Sequence, residues 1–168
     1  LGKALEAAKK LDVTVRDADD YLMALHAPER NAVIAHRNAK MKDGGSGLTD
    51  QQAKDIIDSF TPEQRKHLDV VAKIVHDMNT KKLNDMVDDG LISAQQRDAL
   101  NAQYKKYVPL KTLEAEDEFT GTGRGYEMRA NDITSALGRG SKASSPIAAS
   151  VMDASRSLIR GEKARVDR

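Results

Sequence analysis

Apolar residues recur along this chain at intervals of three and four, the spacing that lines one face of an α-helix. Val15, Ala18, Leu22 and Leu25 make such a stripe behind Thr14, which can cap it, and Leu1 to Leu11 makes a shorter one. Pro28 lacks an N–H and its ring clashes with the preceding turn, so a kink or restart is expected there. A second helical stretch with Ala32, Val33 and Ile34 then runs to Arg37. Asp43-Gly44-Gly45-Ser46-Gly47 supplies the positive φ angles that end it. Thr49 with Gln52 three residues on is a capping-box start for a helix that buries Ala53, Ile56 and Ile57 and ends near Ser59, with Phe60 plugging the junction.

Thr61-Pro62-Glu63-Gln64 is the strongest start signal, with a threonine cap, proline at the first helical position and glutamine at the third. The long helix behind it carries Leu68, Val71, Val75 and Met78, then shifts phase to Leu83, Met86 and Val87, and Gly90 can end it in the left-handed conformation. Ser93 with Gln96 opens a further helix carrying Ala99, Leu100 and Tyr104. The short connection between them predicts an antiparallel hairpin over 62–104, the expected scaffold. Val108-Pro109-Leu110 is extended. Lys111 to Ala130, with Gly121 to Gly125 as a hinge, reads as a long irregular connection. Asn131 or Asp132 can cap a short helix through Leu137, and Ser145-Pro146 opens a last one with Ile147, Val151, Ala154 and Leu158 on one side. The expected fold is all-α, an irregular bundle of about six helices: 1–110 the bundle, 111–130 a linker or arm, 131–168 a basic C-terminal helical segment packing on it.

Composition narrows the class. Only 39% of residues are hydrophobic and 4% aromatic against 32% charged, which suits an elongated helical assembly with an aliphatic and alanine core. With 27 basic and 26 acidic residues the net charge is +1, so no global field draws the chain onto nucleic acid. The absence of cysteine excludes disulfides and thiolate metal sites. No apolar run approaches the roughly 20 residues that span a bilayer, and no signal-peptide pattern opens the chain. Leu1 and Arg168 both read as cut from something longer.

Candidate chemistry is sparse. His26 and His36 lie ten apart across a proline and His67 and His76 nine apart, whereas a compact zinc pair wants about one helical turn, so surface or interface histidines are expected and no metal or other cofactor. The acidic clusters Asp19/Asp20, Asp88/Asp89 and Glu116/Asp117/Glu118 read as solvated faces or helix termini, with no carboxylate marked as buried. Gly121 to Gly125 has no lysine-threonine pair after it, and Ser135, Ser141 and Ser150 lack a nucleophile-elbow context and read as loop and cap residues. No catalytic residue is expected. From Arg124 on, nine cations face five carboxylates. Arg124, Arg129, Arg139, Lys142, Arg156, Arg160, Lys163 and Arg165 are the candidate phosphate or partner contacts, with Arg168 at the end. Only Tyr126 is there to stack on a base, so DNA contact would be nonspecific.

Four pieces resemble a known family in order: HAPERN at His26 to Asn31, DGGSGLTDQQA at Asp43 to Ala53, YVPL at Tyr107 to Leu110, and LGRGSKASSPIAASVMDASRSLIRGEKARV from Leu137 to Val166. The family is that of the large phage polyvalent and internal virion proteins, carried in the capsid and delivered into the host with the genome. The resemblance implies a non-catalytic structural or interaction module of a larger chain. Its partners would be other domains of that chain or other virion proteins, and its location the virion interior and then the host cell. A DNA-binding accessory segment acting through the basic C-terminal end is the alternative reading, and a small lytic or nucleolytic hydrolase the second.

Overall fold

Four of the helix starts are closed by reciprocal capping boxes. At Thr14, Thr49, Thr61 and Ser93 the side-chain oxygen accepts the backbone N–H three residues on at 3.1–3.2 Å. The side chain there, Asp17, Gln52, Gln64 or Gln96, accepts the cap N–H in return, so two otherwise orphaned donors are satisfied at each start. The computed structural model describes residues 13–110 and 145–166. Among them the chain forms five α-helices and no strand. They are α1 (Val15–Arg37), α2 (Asp50–Ser59), α3 (Pro62–Asp88), α4 (Ala94–Gln103) and α5 (Pro146–Val166). The all-α class is as expected, and the five helices of the described residues roughly match the six or so foreseen for the whole chain. The expected helices at Leu1–Leu11 and 131–137 and the connection over 111–130 lie outside the described residues.

The restart expected at Pro28 as one of two outcomes does not occur: α1 runs through it. Pro28 sits on the exposed side, and its missing N–H leaves only the carbonyl of Ala24 without its helical donor, at a cost of about 3 kcal/mol. Anchors on both sides of the proline offset that cost. Ala24, His26 and Ala27 before it and Asn31 and Ile34 after it are all buried.

The core lies between α1 and α3. Ala18, Tyr21 and Leu22 from α1 meet Leu68, Val71, Ala72 and Val75 from α3, closed by Val13, Val108 and Ile147. Phe60, the C-cap of α2, stands edge-on to Tyr21 with ring centroids 5.9 Å apart. A second cluster sets Ala24 and Ala27 against Ala53, flanked by Leu48, Ile56 and Ile57. The 62–104 pair forms as two helices, but α4 buries no residue. The bundle is therefore built on α1 with α3 rather than on that pair. α3 ends in a Schellman motif, Leu91 N–H to Met86 O and Gly90 N–H to Val87 O, with Gly90 at φ 73°.

The phase shift expected in α3 is not there either. The stripe Leu68, Ala72, Val75 continues four residues on to buried Asn79 and then to Met86. Polar side chains occupy the positions that looked like a slip. α5 covers this half of α3 and runs in the same direction, since Asn79 meets Ser150, Lys82 meets Asp153, and Asp89 meets Gly161. Its buried side is made of Ile147, Ala149, Ser150, Ser157 and Gly161. Leu158, expected on the packing side, is 58% exposed. At Gly161 the two helices come so close that an added Cβ would overlap the Asp89 carboxylate. Among the described residues no helix is long and apolar enough to cross a membrane.

Candidate functional site

The polar side chains of α1 converge on segments far away in the sequence. Asp19, 8% exposed, accepts the backbone N–H of Ile147 at 3.0 Å. It supplies from another helix the carboxylate that a helix N-terminus favours, beside Ser145, whose hydroxyl accepts the Ala148 N–H. Asn31 holds the glycine loop. Its carbonyl oxygen accepts the Ser46 N–H at 2.8 Å, and its amide nitrogen stands 2.8–2.9 Å from Asp43 Oδ1, the Leu48 carbonyl and Asp50 Oδ1. Gly44 and Gly47 turn that loop at φ 77° and 99°. Gly45 lies so close to α1 that a Cβ there would stand 2.6 Å from Ile34 Cγ2.

Between these two anchors lies the third. Glu29 Oε1 and Oε2 accept the N–H groups of Lys105 and Lys106 at 3.1 and 3.0 Å. That docks residues 104–110, a strap following α4, across α1 and α3. The strap is fastened again where Asn79 donates to the Tyr107 carbonyl at 3.2 Å and where Val108 enters the core. Under it sits His26, with no exposed surface, its ring edge-to-face with Tyr104 at 5.3 Å and Tyr107 at 5.6 Å. Its Nδ1 is 3.7 Å from Glu29 Oε2, an ion-pair separation too long for a hydrogen bond, and neither ring nitrogen has a hydrogen-bond partner.

Burial sets the electrostatics here. It pushes the His26 imidazole below its ordinary pKa, against the opposing pull of Glu29. His76 on α3 is lowered for the same reason and by the nearness of His26. Burial works to raise Glu29, but His26 and the two backbone N–H groups outweigh it and hold the carboxylate below its usual range. Burial, then Asp153, raises the Tyr107 phenol to about 12. Tyr21 is likewise raised, by burial and by its 2.7 Å bond to Asp69.

Comparison of the chain with known protein families, curated proteins and solved structures finds no match. Glu29, Asn31 and Asp19 each accept backbone N–H groups, and Asn79 donates to a carbonyl and to the Ser150 hydroxyl. This bonding joins segments of the chain. No group of three metal-binding side chains comes together among the described residues.

Three expectations from the sequence need correction. His26 is a core residue rather than a surface histidine, and His76 is partly buried. Asp19 and Asp89 are buried carboxylates, where none was expected. Ser150 is neither loop nor cap but a buried helical residue bonded to Asn79. Among the basic candidates, Arg156 and Arg160 lie four apart on α5 and are partly buried, with Arg156 Nη1 4.0 Å from Asp153. Lys163 and Arg165 lie on the last turns of α5. Arg124, Arg129, Arg139, Lys142 and Arg168 lie outside the described residues.

The joints were detectable in one respect. Asp19 and His26 fall three before and four after Leu22, and Asn79 falls four after Val75. Each sits on an apolar stripe, where a polar residue is buried and needs a partner.

Proposed function

We propose that this chain is a non-catalytic structural and interaction module, in which α1 gathers a glycine loop, a strap and a C-terminal helix onto one core. The observation that carries this reading is the use of Asp19, Glu29 and Asn31: each accepts backbone N–H groups from a segment 15 to 128 residues away. Glu29, held below the usual carboxylate range by the groups it binds, is fixed in its ionised form, the opposite of a general acid poised to exchange a proton.

The residues that resemble the phage polyvalent and internal virion proteins are these same joints. His26, Glu29 and Asn31 belong to HAPERN, Asp43 to Asp50 to the glycine loop, Tyr107 and Val108 to the strap, and Ile147 and Ser150 to the last helix. The reading therefore extends to a segment of a large protein packaged in the virion and delivered with DNA. Peptide mass spectrometry of purified particles of the phage carrying this chain tests it. The chain's peptides are expected in DNA-filled particles and depleted from particles after ejection. Peptides found in infected cells but missing from the particles would refute the reading.

A further inference from the structure

We propose that His26 makes the strap over 104–110 a proton-sensitive clasp, closed while the imidazole is neutral and released from α1 and α3 when it takes up a proton. The switch is independent of the assembly role proposed above.

Three observations carry it. His26 has no exposed surface and neither ring nitrogen has a hydrogen-bond partner, so its ring is held as an apolar disc under Tyr104 and Tyr107. An added proton would give it two N–H donors and a charge in a site sealed from water. The lid over that site is a strap whose N–H groups are held by Glu29, three residues further along the same helix. Movement toward His26⁺ would draw Glu29 off Lys105 and Lys106, so charging the imidazole competes directly with the fastening of the strap.

The surroundings decide the sign. On α1, Glu29 favours the charged imidazole and Arg30 opposes it. On α3, His76 stands near enough to feel His26, with Asp77 and Glu29 acting on it in the opposite sense. From the strap come the phenols of Tyr104 and Tyr107 and the cation of Lys106. Lys82 lies 5.8 Å over the Tyr107 ring, and Asp153 of α5 acts on the far side of that phenol. Glu29 and the tyrosine faces thus favour the cation, while the loss of water and Arg30 oppose it. Loss of water is the largest of these influences, and the neutral ring prevails in the folded chain.

The pH window follows from linkage. The folded chain holds both imidazoles below their ordinary value of 6.5, so the unfolded or unclasped chain binds more protons as the pH falls through that value. The clasp is at full strength above pH 6.5 and weakens below it. Glu29, lowered from 4.5, contributes its own stabilisation above that value and loses it only further into acid. Of these three groups, only the two histidines act between the two values.

Nuclear magnetic resonance of the full chain, titrated from pH 8 to 5, tests the clasp. The His26 ring signals are expected to titrate below 6.5 and together with those of Tyr104 and Tyr107. Over the same interval the amide protection of Lys105 and Lys106 should be lost while that of α2 persists. His26→Phe keeps a ring of similar shape that cannot be charged, and its strap should stay protected throughout. If that variant does not fold, the wild-type titration decides alone. The proposal is overturned if the imidazole titrates with no response in the strap, if the strap stays protected to pH 5, or if His26→Phe loses the strap with the same pH dependence.

Discussion

Replacing Asn31 by alanine is expected to destabilise the fold by about 3 kcal/mol, more than any other single truncation at the glycine loop. The side chain is 2% exposed and is the one residue bonded to Asp43, Ser46, Leu48 and Asp50 at once. Its loss leaves the buried Ser46 N–H without its acceptor and strips a donor from two carboxylates that lie within hydrogen-bonding reach of the same nitrogen. An unsatisfied buried N–H alone costs about 1 to 3 kcal/mol, and bonds to charged groups are worth about 1.5 to 3 each. Thermal unfolding should show the midpoint lowered by roughly 6 to 12 °C. Asn31→Asp should fare no better at neutral pH. It adds a third carboxylate beside Asp43 and Asp50 and has no N–H to offer them. An alanine variant within about 0.5 kcal/mol of the wild type would mean that the loop is held by its own turns and not by α1.

Gly161→Ala is the second large effect, and its sign runs against helix propensity. In an exposed helix, alanine in place of glycine stabilises by about 1 kcal/mol. Here a Cβ would overlap the carboxylate of Asp89, itself 4% exposed at the end of α3. Either the buried carboxylate or the whole of α5 must shift. We expect a net loss of about 2 kcal/mol in chemical denaturation, in the range for overfilling a packed site. Ser155→Ala on the exposed side of the same helix should stay within about 0.5 kcal/mol of the wild type. A stabilised Gly161→Ala would show that α5 does not pack on α3 through its small residues.

Much of the fold could be read from local signals because those signals are local in origin. The starts at Thr49, Thr61 and Ser93 and the stop at Gly90 depend on residues within one turn. What the sequence concealed depends on distant partners. Pro28 reads as a break, yet α1 continues because His26, Glu29 and Asn31 on either side are tied to other segments. The step from Met78 to Leu83 reads as a phase slip, yet the stripe continues through Asn79, which is buried with the Tyr107 carbonyl and Ser150, 28 and 71 residues away, to receive it. Leu158 reads as a packing residue, and it is exposed because the buried side of α5 runs through Ile147, Ser150, Ser157 and Gly161 instead. In each case the pattern was visible, while its meaning required the partner that only the folded chain supplies.

Four backbone amides test the central role of α1 most directly. Ser46, Lys105, Lys106 and Ile147 each donate to a side chain of that helix, the first three from outside any helix and the last from the first turn of α5, where no helical acceptor exists. Native-state hydrogen exchange at neutral pH should find all four well protected. Each should lose that protection when its own acceptor, Asn31, Glu29 or Asp19, is replaced by alanine. Exchange of these amides in the wild type as fast as in an unstructured peptide would contradict the account.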